Sequence, residues 1–146
     1  MKIYYFDTSV LVKLYHDESG SDEIEKIFSS ESTLINISEI AVIELYSALY
    51  RLFRMKEISK DALEASSRSF EEDCKYRFVI NPVDSNATGQ AKEMIKRYGD
   101  KKSIRTLDAI QLSISLNNEK DVIFVSADKV LTNIAGKENL EILLVE

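Results

Sequence analysis

Ile3-Tyr4-Tyr5-Phe6 runs without a polar residue straight into Asp7-Thr8-Ser9. Four β-forming side chains in a row leave no face for water. A strand here is therefore buried on both sides, as in a parallel sheet covered above and below. Leu34-Ile35-Asn36-Ile37, Phe78-Val79-Ile80, Val122-Ile123-Phe124-Val125 and Ile142-Leu143-Leu144-Val145 read as further strands of the same kind.

Segments with helical spacing lie between these runs, predicted over 9–15, 22–28, 38–54, 59–76, 87–98, 106–116 and 127–135. Ser38, Ser59, Asp84 and Ser85 are suited to capping helix starts, and Gly99 and Gly136 to ending them. Strands alternating with helices predict an α/β fold, a three-layer α/β/α sandwich with a central parallel sheet. At 146 residues, with no internal repeat and no linker, the chain reads as a single domain over 1–146.

The composition narrows the chemistry. One Cys, Cys74, rules out a disulfide scaffold and a thiolate zinc site. A His-based triad has only His16 to draw on. Hydrolysis, if there is any, falls to carboxylates and a metal. No targeting stretch and no apolar run of membrane-spanning length is visible, so a cytoplasmic location is the default expectation. The net charge of −6 argues mildly against a non-specific nucleic-acid binder.

Ligands of an open parallel sheet sit beyond the carboxyl ends of its strands. Asp7 and Asp128 occupy such positions, after the first strand and after the Val122–Val125 run. Each also has a purely structural reading as a helix cap. Glu44 is harder to explain that way. Its neighbours three and four residues away are Ile40, Ala41, Ser47 and Ala48, a small and largely apolar face where a carboxylate needs a neutralising partner. Asp108 falls in the first turn of a helix, favourable for an acid, but among mostly apolar residues. If these four acids converge, a cation must offset their repulsion. All-oxygen ligation suits a hard ion, Mg²⁺ or Mn²⁺.

The order Asp7-Thr8-Ser9, Ile43-Glu44-Leu45, Leu107-Asp108-Ala109-Ile110-Gln111-Leu112 and Val125-Ser126-Ala127-Asp128 through Ala135-Gly136 resembles the PIN-domain ribonucleases. It is most similar to the VapC-type toxins of toxin–antitoxin pairs. The likeness spans nearly the whole chain. It implies a Mg²⁺- or Mn²⁺-dependent endoribonuclease leaving 5′-phosphate and 3′-hydroxyl ends. Asp7, Glu44, Asp108 and Asp128 would form the acidic catalytic and metal site, with Asp7 and Asp108 as the most direct ligands. Thr8, Ser9 and Ser126 would orient it and touch the substrate phosphate.

The resemblance also implies a cognate antitoxin lying over the site, and a homodimer. Helices 38–54 and 59–76 offer amphipathic faces for either partner. Arg51, Arg54, Lys101, Lys102 and Arg105 are candidate phosphate contacts for a structured RNA, and Tyr46, Tyr50 and Tyr98 candidate stacking surfaces. Two other readings compete. One is a different aspartate-based phosphohydrolase, for which the second aspartate expected two residues after Asp7 is replaced by Ser9. The other is a non-catalytic metal- or RNA-binding module with the same fold. Setting four of the 25 acids aside as one cation pocket leaves the chain close to neutral. The overall charge then no longer argues against RNA.

Overall fold

The structure is a computed structural model and describes residues 1–118 and 121–146. Among the described residues five strands form one sheet: β1 Lys2–Phe6, β2 Thr33–Ser38, β3 Phe78–Asn81, β4 Ile123–Ser126 and β5 Glu141–Leu144. Their order is β3-β2-β1-β4-β5, and every pairing is parallel. The helices are α1 Thr8–Leu11, α2 Ser21–Ser29, α3 Glu39–Arg54, α4 Lys60–Tyr76, α5 Ser85–Tyr98, α6 Thr106–Leu116 and α7 Lys129–Lys137.

β1 shows why the opening run matters. Tyr4 and Phe6 join a core with Leu11, Ile24, Leu45 and Phe70, from α1 to α4. Tyr5, pointing the other way, joins Met94, Leu112, Phe124 and Ile134, a core capped by α5 to α7. Alternate side chains on a strand face opposite sides, so an all-apolar run demands a helix layer on each. The expected α/β/α sandwich follows.

Ser38, Ser59 and Asp84 cap α3, α4 and α5 by accepting the Ala41, Ala62 and Ala87 amides at 2.9, 3.1 and 2.8 Å. Several expected boundaries move. The segment predicted as one helix over 9–15 is α1 followed by a 3₁₀ turn over Val12–Leu14. α5 ends at Gly99 as expected, with Gly99 in a right-handed backbone, whereas Gly136 lies inside α7. Propensity marks where a helix can end, whereas packing against β5 carries α7 two residues further, to Lys137. Gly20 alone among the glycines has positive φ, and a Cβ there would lie 2.6 Å from the Val145 side chain.

Candidate functional site

The chain winds outward from β1 through β2 to β3, then restarts on the other side of β1 with β4 and β5. The order of strand addition reverses between β1 and β4, and the crevice at such a switch point is where open α/β sheets bind ligands. Asp7 leaves the end of β1 here, and Ser126 ends β4 beside it.

Asp7 is buried and held from all sides. Its Oδ1 accepts the Ser9 hydroxyl at 2.5 Å and the Val10 amide at 3.3 Å. Its Oδ2 accepts the Ser126 hydroxyl. The backbone determines where those hydroxyl protons go. Ser9 Oγ accepts the Ala127 amide at 2.9 Å and Ser126 Oγ the Asp128 amide at 3.0 Å, so each O–H is free to point at Asp7. Burial pushes the Asp7 carboxyl up to about 6; the Ser126, Ser9 and Val10 hydrogen bonds oppose this, and the charge of Asp108 adds to it.

Glu44 is half-buried on α3. Its partners are uncharged donors, namely the Thr8 hydroxyl at 2.7 Å and the Gln111 amide nitrogen at 2.9 Å, both on Oε1, and they leave its charge unneutralised. Asp128 caps α7, its Oδ1 accepting the Val130 and Leu131 amides at 2.8 and 3.1 Å. Both Asp7 and Asp128 are thus helix caps, as their structural reading requires, and both stand just past the ends of neighbouring strands, β1 and β4. Asp108 differs from the other three. It is half-buried in the first turn of α6, and among the described residues its side chain has no hydrogen-bond partner. Desolvation raises its pKa first, then the charges of Asp128 and Glu44, with Arg105 pulling the other way.

Asp108 stands close enough to Asp7, Glu44 and Asp128 to interact with their charges. Among the described residues no three Asp, Glu, His or Cys side chains are grouped to hold an ion. Asp7, Glu44 and Asp128 each accept hydrogen bonds from local donors. The donor chemistry still fits a hard cation. Asp108 and the free oxygens of Glu44 and Asp128 are unsaturated oxygen ligands.

Gln111 and Tyr5 are site residues that the sequence reading missed. Gln111 bonds Glu44 and Thr8, and the Tyr5 hydroxyl approaches the other end of its amide at 3.4 Å. A signal was present: a lone amide three residues after Asp108 in an otherwise apolar helix stretch.

Arg51 and Arg54 line a depression of about 260 Å³ together with Thr8 and Glu44, and so adjoin the acids. Lys101 and Arg105 are exposed, while Lys102 is held by the Asn133 side chain at 2.7 Å. Two expected stacking surfaces are engaged elsewhere. Tyr98 donates to Glu138 at 2.6 Å, and Tyr46 packs edge-on against Phe70. Tyr50 remains exposed. A larger cavity of about 400 Å³ runs along α5 between Ser85 and Arg97, apart from the acids.

The PIN domain family profile matches residues 4–137, so the chain belongs to the PIN domain family, a family of nucleases. No curated protein matches the chain by sequence. Solved structures share its fold at low identity. One is the Mycobacterium tuberculosis toxin VapC20, described as cleaving the sarcin-ricin loop. It has 16% identity over 91% of this chain and 95% of its own, with a TM-score of 0.71. FitAcB from Neisseria gonorrhoeae has 17% identity over 97% and 96%, with a TM-score of 0.68. VapBC2 from Rickettsia felis, bound to a DNA fragment from its promoter, has 18% identity over 99% of both chains and a TM-score of 0.68. Among the described residues no helix is long and apolar enough to cross a membrane.

Proposed function

We propose that residues 1–146 act as one PIN domain, an endoribonuclease that hydrolyses RNA phosphodiester bonds with Mg²⁺ or Mn²⁺, and that it is the cytoplasmic toxin of a VapBC-type pair. One observation carries this reading: Asp108, a half-buried carboxylate with no described hydrogen-bond partner, lies in the field of Asp128 and Glu44 and raises the pKa of Asp7, at the reversal point of the sheet. Asp108 has no described side-chain partner beyond the charges around it.

Asp7, Asp108, Glu44 and Asp128 would hold the metal, which when bound activates water and stabilises the leaving oxyanion. The chain's own residues do the rest. Ser9 and Ser126 hold Asp7 with both oxygens aimed. Thr8 holds Glu44. Arg51 and Arg54 bring a phosphate backbone alongside Glu44, with Lys101, Lys102 and Arg105 on the α5–α6 side.

The antitoxin assignment is supported by the complexes among the structural neighbours and by exposed apolar side chains on α3 and just after it. Ile43 is 69% exposed and Tyr50 51%, and Phe53 and Met55 continue the surface. The same surface suits a second copy of the chain as a homodimer.

The test is cleavage of structured RNAs with and without Mn²⁺, with Asp108→Asn as the control. Metal-dependent cutting that falls on the order of 10²–10³-fold in the variant is expected, the scale of losing one charge-stabilising group. Failure to cut any structured RNA in Mn²⁺ would leave the non-catalytic module as the reading.

A further inference from the structure

Gln111 lies on α6, is 1% exposed, and spans to α3. Its Nε2 donates to Thr8 Oγ1 and to Glu44 Oε1, both at 2.9 Å. The orientation of this amide follows from its neighbours. Glu44 only accepts, and the single Thr8 proton already goes to Glu44 Oε1 at 2.7 Å, so both groups present lone pairs and only an NH₂ can face them. At the other end the Tyr5 hydroxyl stands 3.4 Å from Gln111 Oε1. Tyr5 is itself immobilised, fully buried and stacked on Phe124 at 5.8 Å.

The consequence falls on Glu44. Two donors saturate Oε1, while Oε2 takes no hydrogen bond from any described residue. Resting on the nuclease reading above, we infer that Gln111 is a positioning residue: it ties Oε1 of Glu44 inward and so presents Oε2 alone to the cation and its water. Because Gln111 shares a helix with Asp108 three residues earlier, the same bond also sets the spacing between the acids of α3 and α6. Partners of this kind, one shell behind the ligands, orient metal sites, and their loss typically costs about 10–100-fold in metal affinity or activity.

The experiment compares full-length wild type, Gln111→Leu, Glu44→Gln and the double variant. Mn²⁺ binding is followed by calorimetry, and cleavage is measured on an RNA that the wild type cuts. Gln111→Leu is expected to weaken Mn²⁺ binding and kcat by about 10–100-fold with KM for RNA unchanged. In the Glu44→Gln background the same substitution is expected to add nothing to the loss of Mn²⁺ binding, since its effect runs through Glu44. Melting in EDTA verifies that each variant is folded. If Gln111→Leu fails to fold, Gln111→Met, unbranched and closer in shape to glutamine, serves the same comparison. A Gln111 variant that is folded and binds and cuts like wild type, or a loss that adds fully to that of Glu44→Gln, overturns the positioning role alone. A wild type that neither binds Mn²⁺ nor cuts RNA overturns the nuclease reading and the positioning role with it.

Discussion

Asp7 and Asp108 carry the same carboxyl group into the same crevice under opposite conditions. Asp7 is buried, with both oxygens clamped by serine hydroxyls whose own lone pairs are held by backbone amides. Asp108 is half-buried and bonded to nothing among the described residues, yet it stands within reach of the charges of Glu44 and Asp128. One group is placed by the scaffold, and the other is left for a ligand to place. The pair separates two requirements of a metal site: a rigid anchor that fixes position, and an unsaturated acid whose charge goes unused until a cation arrives.

The largest effect expected from this contrast is on the pH dependence of the metal-free protein. Asp7 keeps its proton to about 6 when folded, against 3.8 as the ordinary value. The native state therefore binds more protons than the unfolded state between these values, and stability falls as pH rises from about 4 to 6. A shift of this size corresponds to something on the order of 3 kcal/mol. Urea melts in EDTA across that range should show the fall, and Asp7→Asn should flatten most of it. Asp108→Asn should change it much less, because Asp108 is partly solvated. Equal flattening by the two variants would break the distinction between anchor and open acid.

Next in size is stabilisation by metal. A cation that binds only the native state at a hundred times its Kd adds about 2.7 kcal/mol. For a chain of this length that raises Tm by roughly 5–10 °C, reversibly with EDTA. Asp108→Asn is expected to remove the shift. An undiminished shift in that variant would place the ion elsewhere.

The smallest effect tests the clamp. Ser126→Ala removes one hydroxyl donor from the buried Asp7 carboxylate and leaves the Asp128 amide without its acceptor. A loss of about 1–3 kcal/mol is expected in urea melts above pH 6, where Asp7 is charged, and less below pH 4. A loss independent of pH would mean that the serine acts through packing or the Asp128 amide and not through Asp7.

Much of this architecture is legible along the chain. An unbroken Ile3–Phe6 run must be covered on two faces, so the parallel sheet and its helix layers follow from side-chain polarity and strand period alone. Helix starts at Ser38, Ser59 and Asp84 are equally local, because a cap needs only the amides of its own first turn. Helix ends are less so: Gly136 reads as a stop, but contact with β5 carries α7 past it. Tyr46 and Tyr98 look free for stacking until tertiary partners, Phe70 and Glu138, occupy them.

The acids divide along the same line. The sequence by itself marks Asp7, Glu44, Asp108 and Asp128 as candidates, since their residue types and places after strands or on apolar faces are local facts. Only the tertiary structure decides which oxygen of each is spoken for. Serine protons reach Asp7 from residues as far as 119 positions away, and Gln111 reaches Glu44 across 67. Hydrogen bonds act over about 3 Å in space whatever the distance along the chain, so the division of labour between Asp7 and Asp108 is set when α6 and β4 pack beside β1.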